Sequence, residues 1–225
     1  ESKWNALEPC CVQSSGQTKL ITKKAADGVT DVVAEGTVSH YSVFTIDAPV
    51  PKGVKKLTAL KMDALPLDPV KAKSSAELGF VASLLRAIVV MPETEKAVFA
   101  ATDAPLEKEV DVAVDASAKK KVSSPPAPKG VPNPPAQPGE ITFTYALGDE
   151  ADPVFEAQTT LNADKGGWGA NPRMTHARRL VLIPSKPVDL PAGAKLRILL
   201  RHDEGGFGYA PLVTNRSRFA ISDSE

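Results

Sequence analysis

The sequence predicts an all-β protein: two antiparallel sheets packed face to face as a β-sandwich. Three observations carry this. Short apolar stretches with β-branched or aromatic residues recur along the chain, as in YSVFTI (41–46), ITFTY (141–145), RLVLI (179–183) and LRILL (196–200). Gly- and Pro-rich turns separate them, Pro184–Gly193 being one. Helical periodicity is scarce throughout. Short strands, frequent turns and few helices are the pattern of two packed antiparallel sheets.

Taken in order, Lys19–Lys23 and Val32–Glu35 flank an Asp27-Gly28 turn. Tyr41–Ile46 and Leu57–Met62 follow as strands, and Leu65-Pro66-Leu67-Asp68-Pro69 breaks the second. Phe80–Met91 is ambiguous: Ala82, Leu84, Leu85 and Ala87 suit a helix, Ile88-Val89-Val90 a strand. We read it as strand. Val110, Val112 and Val114 alternate with Asp111, Ala113 and Asp115, as a half-buried strand does. Lys119–Gly139 then holds seven prolines; proline cannot donate to a β-ladder, so 119–139 reads as a polyproline-like connector on the surface. Arg218–Ser222 closes the chain as a strand. Either half alone would bury little, so residues 1–225 are read as one sandwich built from both.

Composition narrows the function classes. With 27 Lys plus Arg against 27 Asp plus Glu, the balanced charge argues against nucleic acid or an anionic membrane as the main partner. No apolar run approaches the roughly 20 residues that span a bilayer. A start at Glu1, without an initiator Met or an apolar leader, reads as a mature chain or a fragment excised from a larger protein. Cys10 and Cys11 are the only cysteines. A vicinal disulfide and pairing between chains are alternatives to two reduced thiols at a strand edge, the reading preferred here.

Several stretches in order resemble a family. Trp4 is followed by Leu7-Glu8-Pro9, the Asp27-Gly28 turn, Gly36, Tyr41, LTALKMDALP (57–66) and GFV (79–81). Later come GGWGANP (166–172), His176, Leu190-Pro191-Ala192-Gly193, LRILLRH (196–202) and RFAIS (218–222). The set resembles the carbohydrate-binding-module-like β-sandwich domain of planctomycete multidomain proteins that also carry c-type cytochrome domains and domains of unknown function. Lys73–Gly79 departs from it, standing where the family has a Gly-Pro-Gly-Arg turn and an Asn. The resemblance implies a jelly-roll or galactose-binding-like sandwich and a periplasmic or cell-envelope location. It implies no established ligand, because a shared fold does not set function.

Candidate site residues follow from chemistry. Trp168, framed by glycines, is either a stacking face for a sugar ring or a plug of the core, the second being favoured; Trp4 is read as core. The stretch from Arg201 to Tyr209 reads as a loop after a buried-type strand. There Arg201 and Asp203 could hydrogen-bond vicinal sugar hydroxyls and Tyr209 could stack, with His202 counted among the ligand-binding residues; the alternative is an ordinary hairpin loop with solvated charges. Asp27, Asp31, Asp68 and Asp203 stand apart from one another, outside any dense calcium-loop pattern, so no metal and no cofactor are expected. No nucleophile elbow, metalloprotease or nucleotide-binding motif is present. The expectation is a non-catalytic binding module for polysaccharide or oligosaccharide. The alternative is a structural or docking domain that positions neighbouring domains of the same protein.

Overall fold

The computed structural model describes residues 3–37, 42–92, 136–151, 155–162, 166–202 and 212–224. Within them the chain is β throughout, with two short 3-10 turns, η1 (Lys71–Lys73) and η2 (Ala157–Leu161), and no α-helix. Every strand pairing is antiparallel.

The larger sheet has seven strands. It runs β10 (Phe143–Gly148), β12 (Arg178–Pro184), β7 (Ala59–Ala64), β15 (Arg216–Ser222), β4 (Thr30–Glu35) and β3 (Lys19–Lys24), and β1 (Trp4–Ala6) also pairs with β15. The four-stranded sheet runs β2 (Cys11–Ser14), β5 (Ser42–Pro49), β14 (Lys195–His202) and β9 (Leu84–Val90). Two ribbons complete it: β8 (Glu77–Ala82) with β11 (Trp168–Met174), and β6 (Lys56–Leu57) with β13 (Val188–Asp189). Strands from before and after the proline-rich stretch interleave in both larger sheets.

Alternation builds the core. On β7 Leu60, Met62 and Ala64 are buried, while Lys61 and Asp63 between them are half-buried. Register places Leu60 opposite Leu182 and Ile221, and Met62 opposite Leu180 and Phe219. In the other sheet Phe44 and Leu85 face Leu200, and Ile46 and Ala87 face Ile198. All of these belong to one buried cluster, so the inner faces of the two sheets share a single core and the architecture is sandwich-like.

The other face of the larger sheet is charged. Arg179 Nε donates to Asp63 Oδ1 at 2.7 Å, and Lys61 lies 4.9 Å from the centre of the Trp4 ring. Trp4 is therefore half-buried on that face rather than in the core, because β1 lies along β15 at the sheet's outside. Asp31, almost fully buried, accepts from Arg216 Nη2 at 2.6 Å and from Arg218 Nε.

The ambiguous 80–91 stretch is strand, but two strands in different sheets. β8 and β9 break at Ser83, whose amide and hydroxyl both donate to Arg201 O, at 2.9 and 3.1 Å. Leu57–Met62 likewise divides at Thr58, whose amide and hydroxyl donate to Ser222 O. The Val110–Asp115 strand and the connector up to residue 135 lie outside the described residues.

Candidate functional site

The expected binding residues divide. Asp203 and Tyr209 lie outside the described residues. Trp168, Arg201 and His202 are 1%, 3% and 2% exposed, so none presents a face to a ligand. This corrects the rim-loop reading for Arg201 and His202 and the stacking-face alternative for Trp168, and each burial has a local cause.

Trp168 opens β11 between Gly167 and Gly169. Its ring meets Phe80 edge-on, with centroids 4.9 Å apart. The ribbon closes tightly over it: a Cβ on Gly79 would lie 1.6 Å from the Ala170 carbonyl oxygen, and one on Gly169 2.3 Å from that of Phe80. The glycines serve backbone approach, and the tryptophan fills what they enclose.

Arg201 and His202 are strand, not loop. The apolar run ends at Leu200, but β14 is an inner strand and its pairing continues, Arg201 with Val43 and Leu84 and His202 with Ser42. Arg201 Nε donates to Ser83 Oγ at 3.3 Å. The His202 ring packs on Phe44 at 4.5 Å, and its Nε2 accepts the Thr214 amide at 3.2 Å. An amide only donates, so Nε2 is unprotonated and the proton sits on Nδ1. Burial pushes the His202 pKa down to about 3, with the Ser42 backbone acting weakly the other way.

Of the aspartates considered as calcium ligands, Asp203 lies outside the described residues and the other three are engaged elsewhere. Asp27 and Asp31 hold Arg218, Asp31 also holds Arg216, and Asp68 Oδ1 accepts the amides of Val70 and Lys71 at the start of η1. Among the described residues no three His, Cys, Asp or Glu side chains gather as metal ligands would.

A different group of residues forms a cleft of about 290 Å3 where β10, β11 and β12 meet. It is lined by Glu150, Ala170, Arg173, Met174, Thr175, His176 and Arg178. Arg178, the first residue of β12, organises it. The side chain is 6% exposed. Its Nε donates to Asp149 Oδ1 at 3.0 Å, and its Nη1 donates to Gly169 O at 3.0 Å and lies 3.5 Å from Glu150 Oε2. Its Nη2 is buried with no hydrogen-bond partner among the described residues. At the exposed rim His176 Nε2 meets Glu150 Oε1 at 2.6 Å, and its Nδ1 meets Thr175 Oγ1 at 2.9 Å. Donors and acceptors thus alternate around a small open space, with one deep guanidinium only partly satisfied. A buried donor without a partner is costly, which makes Nη2 a demand for an acceptor.

Sequence reasoning placed His176 only within the family resemblance and did not single out Arg178, Glu150 or Arg173. The pointer was the Arg178-Arg179 pair entering a strand. Only the register showed that the first of the two turns inward and the second outward.

Beside the cleft, β10 is an edge strand. Its open side is closed locally by one side chain on η2: the Ala146 amide donates to Gln158 Oε1 and Gln158 Nε2 donates to Thr144 O, both at 2.9 Å. The carboxamide replaces one rung of a neighbouring strand. Removing it in Gln158→Ala exposes that rung. Concentration-dependent self-association beyond that of the wild type is expected in light scattering, with stability lowered by only about 1 kcal/mol.

The chain matches no protein-family model, no curated protein and no solved structure. What the fold and the cleft define is an all-β, antiparallel, sandwich-like protein with a small polar cleft at one end of its larger sheet.

Proposed function

We propose that the chain is a non-catalytic binding module for a hydroxyl-rich polymer, a polysaccharide or oligosaccharide, held at the Glu150–His176–Arg178 cleft. The observation that carries this is the half-exposed Glu150–His176 pair at the rim of the open cleft, backed by the almost wholly buried guanidinium of Arg178. A saccharide hydroxyl both donates and accepts, so at the rim it answers the His176 ring on one side and the Glu150 carboxylate on the other. The cleft's small volume suits one unit of a chain, with weak affinity per site. The family resemblance, which implies no ligand, adds only a periplasmic or envelope setting within a larger protein.

A glycan array followed by calorimetry tests it. Binding to at least one envelope-type polysaccharide is expected, weakened about tenfold or more, or 1.4 kcal/mol, by Arg178→Lys, which keeps the charge and loses the planar fork. His176→Ala, at an exposed rim position, weakens binding severalfold while leaving the melting temperature near that of the wild type. Silence across neutral and acidic polysaccharides overturns the proposal.

A second reading, a docking domain for neighbouring domains, is favoured by one feature. Tyr145 and Leu147 stand 58% and 53% exposed, two residues apart on the same face of edge strand β10. An aromatic–aliphatic pair on an outer strand is a suitable anchor for another domain.

A further inference from the structure

The charges around the cleft are unevenly answered. Arg178 is held by Asp149 at 3.0 Å and lies 3.5 Å from Glu150, and Glu150 in turn meets His176 at 2.6 Å. Each of these groups has its partner already. Arg173 does not. It lines the same cleft from β11 and is exposed, and its side chain makes no hydrogen bond or ion pair among the described residues. The fold sets its position: the residue pairs with Leu78 of β8, and Met174 beside it is buried, which leaves the arginine on the solvent side of the ribbon.

That asymmetry selects among hydroxyl-rich polymers. A neutral sugar leaves the Arg173 charge to water. A protonated amino sugar sets like charge against it. A sugar bearing a carboxylate offers two oxygens matched to the guanidinium fork, and it takes nothing from the pairs already formed. Glu150 is the lining group that opposes an incoming anion, and its carboxylate is shared between His176 and Arg178. We propose, resting on the saccharide reading of the cleft, that its ligand is an acidic polysaccharide containing uronate units. The uronate carboxylate pairs with Arg173 while ring hydroxyls meet Glu150 and His176. Because Arg173 is exposed, the preference for the anion is modest and salt-dependent.

The test is calorimetry of the full chain with oligogalacturonate and oligomannuronate, each against its fully methyl-esterified form. Esterification removes the charge and keeps the ring hydroxyls. At about 0.1 M salt at least one free acid is expected to bind about three- to fivefold more tightly than its ester. The preference fades towards parity at about 1 M, where the Debye length falls from about 10 Å to about 3 Å. Arg173→Gln should erase the preference without moving the melting temperature, and Arg173→Lys should keep part of it. Esters that bind as tightly as the acids, a preference that survives in Arg173→Gln, or binding to neutral glycans alone would each overturn this inference and leave the saccharide reading standing. Silence towards acids, esters and neutral glycans alike overturns both.

Discussion

Trp168→Ala is expected to lower the stability of the fold by about 3–5 kcal/mol, the range for emptying a buried aromatic site. In a chain of this length that shifts the thermal midpoint by roughly 6–20 °C. The size of the effect follows from the surroundings. The ring is 1% exposed, meets Phe80 edge-on, and sits under a ribbon whose glycines already bring backbone against backbone, so the site has little room to collapse around the void. Trp168→Phe should cost clearly less. It keeps an aromatic edge for Phe80 and removes an indole N–H that is buried without a partner among the described residues. Thermal melts of both variants check this. A Trp168→Ala protein that melts with the wild type but loses polysaccharide binding would return this residue to the ligand site.

Acid is expected to act chiefly through His202. The folded pKa is about 3, below the ordinary 6.5, so the unfolded chain takes up the proton first as pH falls. The stabilisation is fully present above 6.5 and shrinks by about 1.4 kcal/mol for each unit below it, until the folded pKa is reached. Denaturant unfolding at pH 7 and pH 4.5 measures the slope. Carboxylates in ion pairs add their own acid dependence, so the wild type is compared with His202→Gln, which lacks the titrating ring. A steeper loss in the wild type is the expected result, and parallel losses would refute the assignment. The tautomer argument points the same way: protonating Nε2 would set a second N–H against the Thr214 amide.

Strand positions were legible wherever alternation ran cleanly. Leu196–Leu200 and Arg218–Ser222 fall inside β14 and β15, and Arg179–Ile183 inside β12, because an inner-face apolar residue every second position is a local property of the chain. Legibility failed where the signal was not local. GGWGANP shows no strand alternation, yet Trp168–Met174 is a strand, since its glycines answer the backbone of β8. Trp4–Ala6 and Cys11–Ser14 are too short to show a period and exist because β15 and β5 offer them an edge. Ile141–Tyr145 was placed early: the paired strand is Phe143–Gly148, and the Ile141 amide is spent on Ala87 O instead.

The candidate site shows the same division. The all-β class belonged to the sequence alone, because alternation needs no partner. Whether Trp168 faces sugar or core, and whether Arg201 begins a loop or continues a strand, was decided by tertiary structure. Burial depends on what the opposing strand supplies: Phe80 beside one, Ser83 and Val43 beside the other. The meeting of Arg178 with Glu150 and His176 was likewise out of reach, since the register of β12 against its neighbours decides which of two consecutive arginines points inward, and a shift of one residue would exchange them.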